Sequence, residues 1–327
     1  MSLKGFLKTM INDLTQIGFY TLSDNRAKNA SVDSDMQRCE LILGARCNFN
    51  CSYCRRIGGP DLPFEDAVNI IKLWGAQKLK NIRFSGGEPT LYPRLVELVS
   101  IAKEQGCKRI AISTNGSASK KIYDGLLNAG VSDFSVSLDA CCAADNDIMS
   151  GTKGQFNKIT ENIRYLSTKT YITVGVVLTD QNQGNINKII EFADSLGVSD
   201  IRIIPAAQNG DRLHEVYVSP KLLQKYPILA YRIANLQKNI AIRGLEKTDP
   251  IHCGLVLDDM AVCENKHYPC IIYMRESGEP IGKIGPNMRQ ERLVWYNNHN
   301  VLKDPICSKN CLDVCRCYNQ KFELFKS

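Results

Sequence analysis

Apolar positions along the chain switch repeatedly between two spacings. Residues 39–43, 82–84, 109–113, 134–138, 172–178 and 201–204 form short apolar runs that read as six strands. Between them apolar residues recur every three or four positions, which predicts helices over 64–79, 91–105, 120–129, 156–166 and 186–196. Gly106, Gly130 and Gly197 fall just past three of these helices, where a left-handed C-terminal cap belongs. Strand–helix units in series predict a parallel sheet with helices outside it, an α/β fold that is either an open doubly wound sheet or a partial barrel. Before it, Leu3, Phe6, Leu7, Met10, Ile11, Leu14 and Ile17 keep helical spacing, so residues 1–38 read as a helical extension laid on the main domain. After residue 206 one more helical pattern, opening at Ser219-Pro220, makes 207–250 a helical linker.

Composition sets the class. The chain has 327 residues, 44% hydrophobic and 23% charged, which suits a soluble protein with one large and one small domain. No apolar run reaches the length of a membrane span, and polar residues interrupt every candidate signal-peptide core in the first twenty positions. The expected setting is the cytoplasm, where thiols stay reduced. The net charge of +7 comes from 41 basic and 34 acidic residues mixed along the chain, so nucleic acid is permitted but not indicated.

The fourteen cysteines change the picture. Cys47, Cys51 and Cys54 form a CxxxCxxC run. Three thiolates on one loop can hold three corners of a cubane cluster and leave the fourth iron open. A structural zinc site usually needs four donors, and no histidine stands nearby; a disulfide framework needs an oxidising compartment. Some thirty residues on, a short strand ends in Gly86-Gly87-Glu88-Pro89, an open turn whose glycines let backbone approach closely and whose Glu88 is an acceptor.

Together these motifs resemble the radical S-adenosylmethionine (radical SAM) enzymes. The resemblance implies a (β/α)6 partial TIM barrel over 39–206. It implies a [4Fe–4S] cluster on Cys47, Cys51 and Cys54, with SAM bound across the barrel top. The Gly86–Pro89 segment would bond the methionyl amino group, and Tyr53 stands where the family carries an aromatic against adenine; packing is the plainer role for that ring. Ser113, Asn115 and Ser137, at strand ends, take the positions of ribose and carboxylate ligands. Sites in parallel α/β folds collect at that end. Gln208, Asn209, Asp211 and Arg212, after the sixth strand, are candidate substrate contacts.

Seven cysteines, Cys253, Cys263, Cys270, Cys307, Cys311, Cys315 and Cys317, crowd the last part of the chain. So short a segment has little apolar area of its own, and a metal centre would supply stability. Zinc suits such pairs too. The order of residues resembles the SPASM and twitch auxiliary-cluster domains, with Asn265 at the glycine position of their opening pattern. The resemblance implies that residues 251–327 hold one auxiliary [4Fe–4S] cluster, ligated by Cys253, Cys270 and two of Cys307, Cys311, Cys315 and Cys317. Cys263 is left as a ligand, a hydrogen-atom donor or a bystander.

The implied activity is reductive cleavage of SAM to a 5′-deoxyadenosyl radical, which abstracts hydrogen from a small-molecule substrate, a nucleotide or sugar among the candidates. It needs an electron donor such as flavodoxin or ferredoxin. The cyclase of this group that acts on GTP ends in an arginine- and glycine-rich tail, and the ending here is Lys-Phe-Glu-Leu-Phe-Lys-Ser. A peptide-modifying maturase is the alternative, against which stand the 38 residues before the first strand, few for a leader-binding domain. A non-enzymatic iron–sulfur or zinc scaffold is the third reading.

Overall fold

The computed structural model describes residues 24–207 and 216–326. The expected helix over 3–17 and the candidates Gln208, Asn209, Asp211 and Arg212 lie outside the described residues. The six expected strands are present: β1 (Arg38–Ile42), β2 (Asn81–Ser85), β3 (Arg109–Thr114), β4 (Asp133–Ser137), β5 (Tyr171–Leu178) and β6 (Asp200–Pro205). All pair in parallel with their sequence neighbours. The expected helices cover them, and Gly106, Gly130 and Gly197 have φ of 90°, 116° and 78°, the left-handed values a C-terminal cap uses.

Three features depart from the expectation. Ala143–Ser150 is an extra helix; Ile148 and Met149 are its sole large apolar residues, so no periodicity announces it. The linker helix is two helices, Pro220–Lys225 and Pro227–Gln237. Pro227 lacks an N–H and forces Tyr226 into an extended conformation (φ −117°, ψ 91°). Third, the cysteine-rich segment is joined to the barrel sheet. Its strand β7 (Asp259–Cys263) lies parallel to β1, Arg38 opposite Asp259 and Ile42 opposite Cys263. Two short antiparallel strands, Lys266–Tyr268 and Gly282–Lys283, complete a nine-stranded sheet.

Side chains alternate across the strands with period two. Outward residues such as Leu41, Ile82, Phe84, Ile112, Phe134 and Val174 are fully buried under the helices. Inward residues are polar: Glu40 and Arg83 are cross-strand partners, and Ser113 lies opposite Ser135. Arg38 pairs with Asp259 at 3.2 Å and with Glu40 at 3.5 Å. The barrel interior is thus a polar, charged chamber rather than a packed core.

A buried ion pair fastens the last helix, Asp313–Lys326, to the barrel side. Asp313 Oδ1 lies 2.6 Å from Arg232 Nη1, and Asn235 Nδ2 donates to Asp313 Oδ2 at 2.7 Å. Replacing Asp313 by Ala strands a buried guanidinium and is expected to cost about 3–5 kcal/mol in chemical unfolding. Asp133, at the bottom of the chamber, is pushed up to about 7 by burial, with Arg83 pulling the other way. A carboxyl raised in the fold favours the protonated form, so its contribution to stability falls as pH rises from about 4 to about 7. Asp133→Asn is therefore expected to gain on the order of 1–2 kcal/mol at pH 8 and little at pH 4. A loss at pH 8 would mean that the carboxylate is held by the arginines.

Candidate active site

The cysteine loop leaves the C-terminal end of β1 and is clamped by main chain. Gly87 N donates to Gly44 O at 2.9 Å, and Glu88 N to Arg46 O at 2.8 Å. A Cβ on Gly87 would lie 2.2 Å from Arg46 O, and one on Gly86 2.5 Å from Gly44 O. The two glycines therefore serve loop-on-loop contact, and their closeness to a ligand comes second. Asn48, between the cysteines, completes the clamp. Its Nδ2 donates to Ser117 Oγ at 2.9 Å, and its Oδ1 accepts from Asn115 Nδ2 at 2.8 Å. Sequence alone passes over Asn48, since a lone Asn in a loop looks like turn chemistry.

Glu88 is an acceptor, and its donors among the described residues are four. Its Oε1 accepts from Thr90 N at 3.1 Å, Thr90 Oγ1 at 2.6 Å and Thr114 Oγ1 at 2.7 Å, and its Oε2 from Asn115 N at 2.6 Å. Both oxygens are engaged, and the side chain is buried behind the chamber. Burial pushes this carboxyl up, while the N–H of Asn115 and the Thr90 hydroxyl pull it down. It caps the turn Pro89–Leu91 and pins the end of β3 to that of β2.

One cavity of about 430 Å³ collects the rest. Cys47, Cys51, Cys54, Tyr53, Gly86 and Gly87 line it, and so do Ser113, Asn115 and Ser137. Cys47 and Cys54 are exposed and Cys51 is half-buried. Burial, then the nearby Asp139, pushes the Cys51 thiol up to about 12, so the thiolate needs a metal to form at neutral pH. Tyr53 donates its hydroxyl to Asp139 Oδ2, which ties the cysteine loop to the end of β4. Asp139 Oδ1 accepts from Val177 N at 2.6 Å, and burial pushes this carboxyl up to about 6. Three thiols facing a roomy cavity beside exposed main chain fit an iron–sulfur cluster with one open corner.

A second cavity adjoins it. Cys253, Cys270, Cys307, Cys311 and Cys315 all line it, and Cys270 and Cys315 face the first cavity as well. Two of these sulfurs accept N–H groups: Cys270 from Tyr273 N at 3.4 Å and Cys253 from Asn319 Nδ2 at 3.5 Å. Burial pushes the Cys253 thiol up to about 11. These five cysteines around one small cavity of about 40 Å³ are the donor type an iron–sulfur cluster takes. Cys317 does not join them: it packs with Ile228 and Val314. Two positions along one helix separate Cys315 and Cys317 by roughly 200°, so one face cannot hold both. Cys263 ends β7 and lines neither cavity. Beside Cys307, His299 and Asp304 bring their ligand atoms and its sulfur within 4.8 Å of one another. That Asp304 already accepts from Ile306 N and Cys307 N as a helix cap. Among the described residues no helix is long and apolar enough to cross a membrane.

Residues 41–193 match the family model described as the Radical SAM superfamily. A probable GTP 3′,8-cyclase of Sulfolobus acidocaldarius is 27% identical over 176 residues, 52% of this chain and 56% of that protein. A GTP 3′,8-cyclase of Staphylococcus haemolyticus is 33% identical over 174 residues, 48% of this chain and 50% of that protein. The chain thus spans about half the length of the curated relatives it matches. Among solved structures, Streptococcus suis SuiB bound to precursor peptide SuiA superposes with a TM-score of 0.59 at 14% identity, covering 90% of this chain and 79% of that one. Native anSMEcpe with bound AdoMet gives 0.57 at 14% identity, covering 88% of this chain and 96% of that one. At such identities the likeness is one of fold. With its three cysteines and Gly-Gly-Glu-Pro turn facing one cavity of a parallel α/β barrel, this chain carries a radical SAM domain over residues 41–193.

Proposed function

We propose that this protein is an enzyme that cleaves SAM reductively and removes a hydrogen atom from a small molecule. The observation that carries the reading is the convergence of Cys47, Cys51, Cys54, the Gly86-Gly87 turn and the strand-end groups of Ser113, Asn115 and Ser137 on one cavity. The three thiols would hold a [4Fe–4S] cluster, and the exposed turn and strand-end groups would hold SAM. Bound there, the pair supplies a carbon-centred radical to a substrate after one electron arrives from a donor such as flavodoxin or ferredoxin. The chain's own part is placement. Asn48 and the Gly86–Glu88 main chain fix the cysteine loop, and the Tyr53–Asp139 bond fixes its far side. A cavity of about 430 Å³ lies in the range that small ligands fill.

The five-cysteine cavity supports one auxiliary cluster, held by Cys253, Cys270 and two of Cys307, Cys311 and Cys315. Its shared wall with the barrel cavity would bring that cluster to the substrate's side, as an electron acceptor or an anchor. A second reading, modification of a peptide, draws on the solved structures. The fold of SuiB, solved with its precursor peptide, is shared over 90% of this chain.

Anaerobic reconstitution followed by SAM and dithionite is expected to yield 5′-deoxyadenosine, and Cys51→Ala to abolish it. Turnover that survives in Cys51→Ala would refute the cluster assignment. Deuterated metabolite and peptide pools, offered separately, decide the substrate class by which one passes deuterium into the nucleoside.

A further inference from the structure

Arg292 lies on the helix Met288–Asn298, in the cysteine-rich part of the chain, and is only 2% exposed. Its guanidinium is spent on main-chain carbonyls. Nε donates to Val256 O at 2.7 Å, Nη1 to Tyr268 O at 2.9 Å, and Nη2 to Asp259 O and, at 3.2 Å, to Pro269 O. Nη1 also lies 3.3 Å from His267 Nδ1. Donation to that nitrogen leaves the ring hydrogen on Nε2, which gives it to Glu291 Oε2 at 2.9 Å. Burial, with repulsion from Arg292 added, holds His267 below its usual range and so neutral. Gly282 leaves room for the pair, since a Cβ there would lie 2.2 Å from Glu291 Oε2.

Two of these carbonyls belong to segments that carry cysteines of the five-cysteine cavity. Val256 lies in the turn Gly254–Leu257 that Cys253 opens, and its N–H donates to Cys253 O at 3.2 Å. Pro269 is joined directly to Cys270. One side chain therefore grips the turn after Cys253 and the residue before Cys270, and ties both to β7 through Asp259. A lysine has no planar fork with which to do this.

The charge needs its own account. Among the described residues no carboxylate lies in ion-pair range of Arg292, and the Asp259 carboxylate is turned to Arg38 at 3.2 Å. Carbonyls solvate a buried guanidinium without neutralising it, and a buried charge is costly until an opposite one offsets it. The segments that Arg292 grips bear thiols able to become that opposite charge. Burial pushes both up, Cys253 to about 11, so they turn anionic when a metal takes them.

We propose that Arg292 is a positioning residue for the auxiliary cluster: it sets the spacing of Cys253 and Cys270 by holding both main-chain segments, and it is the standing countercharge of the cluster they would ligate. The inference rests on the auxiliary-cluster reading above. A cation beside a cluster favours its more negative, reduced form, so removing the cation lowers the reduction potential.

The test uses the reconstituted full chain carrying Cys51→Ala, in which the tail cluster is expected to give the remaining signal. Iron analysis reads its occupancy, and a redox titration followed by electron paramagnetic resonance reads its potential. Arg292→Gln is expected to lose iron and to lower the potential. Arg292→Lys keeps the charge and some of the carbonyl bonds, and should return both most of the way. Phe322→Leu loosens the core of the same segment without touching a charge, and should leave the potential where it was. An unchanged potential in Arg292→Gln, or an equal fall in Phe322→Leu or Arg292→Lys, would overturn the assignment. If Arg292→Gln takes up no iron, recovery of iron in Arg292→Lys supports the assignment and failure to recover it overturns it. A parent chain that holds no iron in its tail defeats the auxiliary-cluster reading, whereas a tail cluster indifferent to Arg292→Gln defeats this inference alone.

Discussion

Two main-chain hydrogen bonds, Gly87 N to Gly44 O and Glu88 N to Arg46 O, hold the loop after β2 against the loop after β1. Everything at the mouth of the barrel is placed from that contact. It works only because Gly86 and Gly87 lack side chains, since a Cβ on either would overlap carbonyl oxygens of the cysteine loop. Glu88 then extends the contact by one strand, accepting from Thr114 and Asn115 at the end of β3. Asn115 in turn reaches back to Asn48 inside the CxxxCxxC run. The three loops form a closed ring of polar bonds, and the thiols ride on it. Such a ring is rigid without being apolar, which suits a site that must hold donors in place yet leave one face open.

The chamber beneath follows from strand pleating. Alternate residues of every strand face inward, and here those positions carry Arg38, Glu40, Arg83, Ser113, Ser135 and Arg202 in place of the branched apolar residues that would fill a barrel. The cost of burying these charges is met by internal pairing, as between Arg38 and Asp259. The stability of the molecule comes from the other face, where Leu41, Phe84, Ile112 and Phe134 pack under helices. One sheet thus separates the two tasks, with packing outside and chemistry inside. The C-terminal segment joins this scheme through β7, which continues the parallel sheet beyond β1 and sets the five-cysteine cavity against the barrel wall.

Most of the fold could be read from the chain because its strands are short apolar runs and its helices end at cap glycines, and those signals are local. The pairing of β7 with β1 could not, since the partners are far apart in sequence and the tail strand by itself reads as part of a hairpin. At the site, the cysteines and glycines were legible because their spacing is fixed by loop geometry. Glu88 reads as an acceptor in the sequence, and only the fold shows that its donors include Thr90 and Thr114. Cys317 enters the candidate ligands through the resemblance to the auxiliary-cluster pattern, and the helix that carries it turns it away from Cys315 within two residues. Arg202 and Arg83 gave no signal, because an arginine in a strand looks solvent-facing until the sheet curls and turns that face inward.

In the proposed function Cys47, Cys51 and Cys54 would leave one iron free for SAM to occupy. Electron–nuclear double resonance on the reduced, reconstituted protein with SAM labelled by ¹⁵N at its amino group tests this directly. Hyperfine coupling from that nitrogen is expected in the native chain and should vanish in Cys47→Ala. Coupling absent from a fully loaded native sample, or unchanged when Cys47 is removed, would contradict the account.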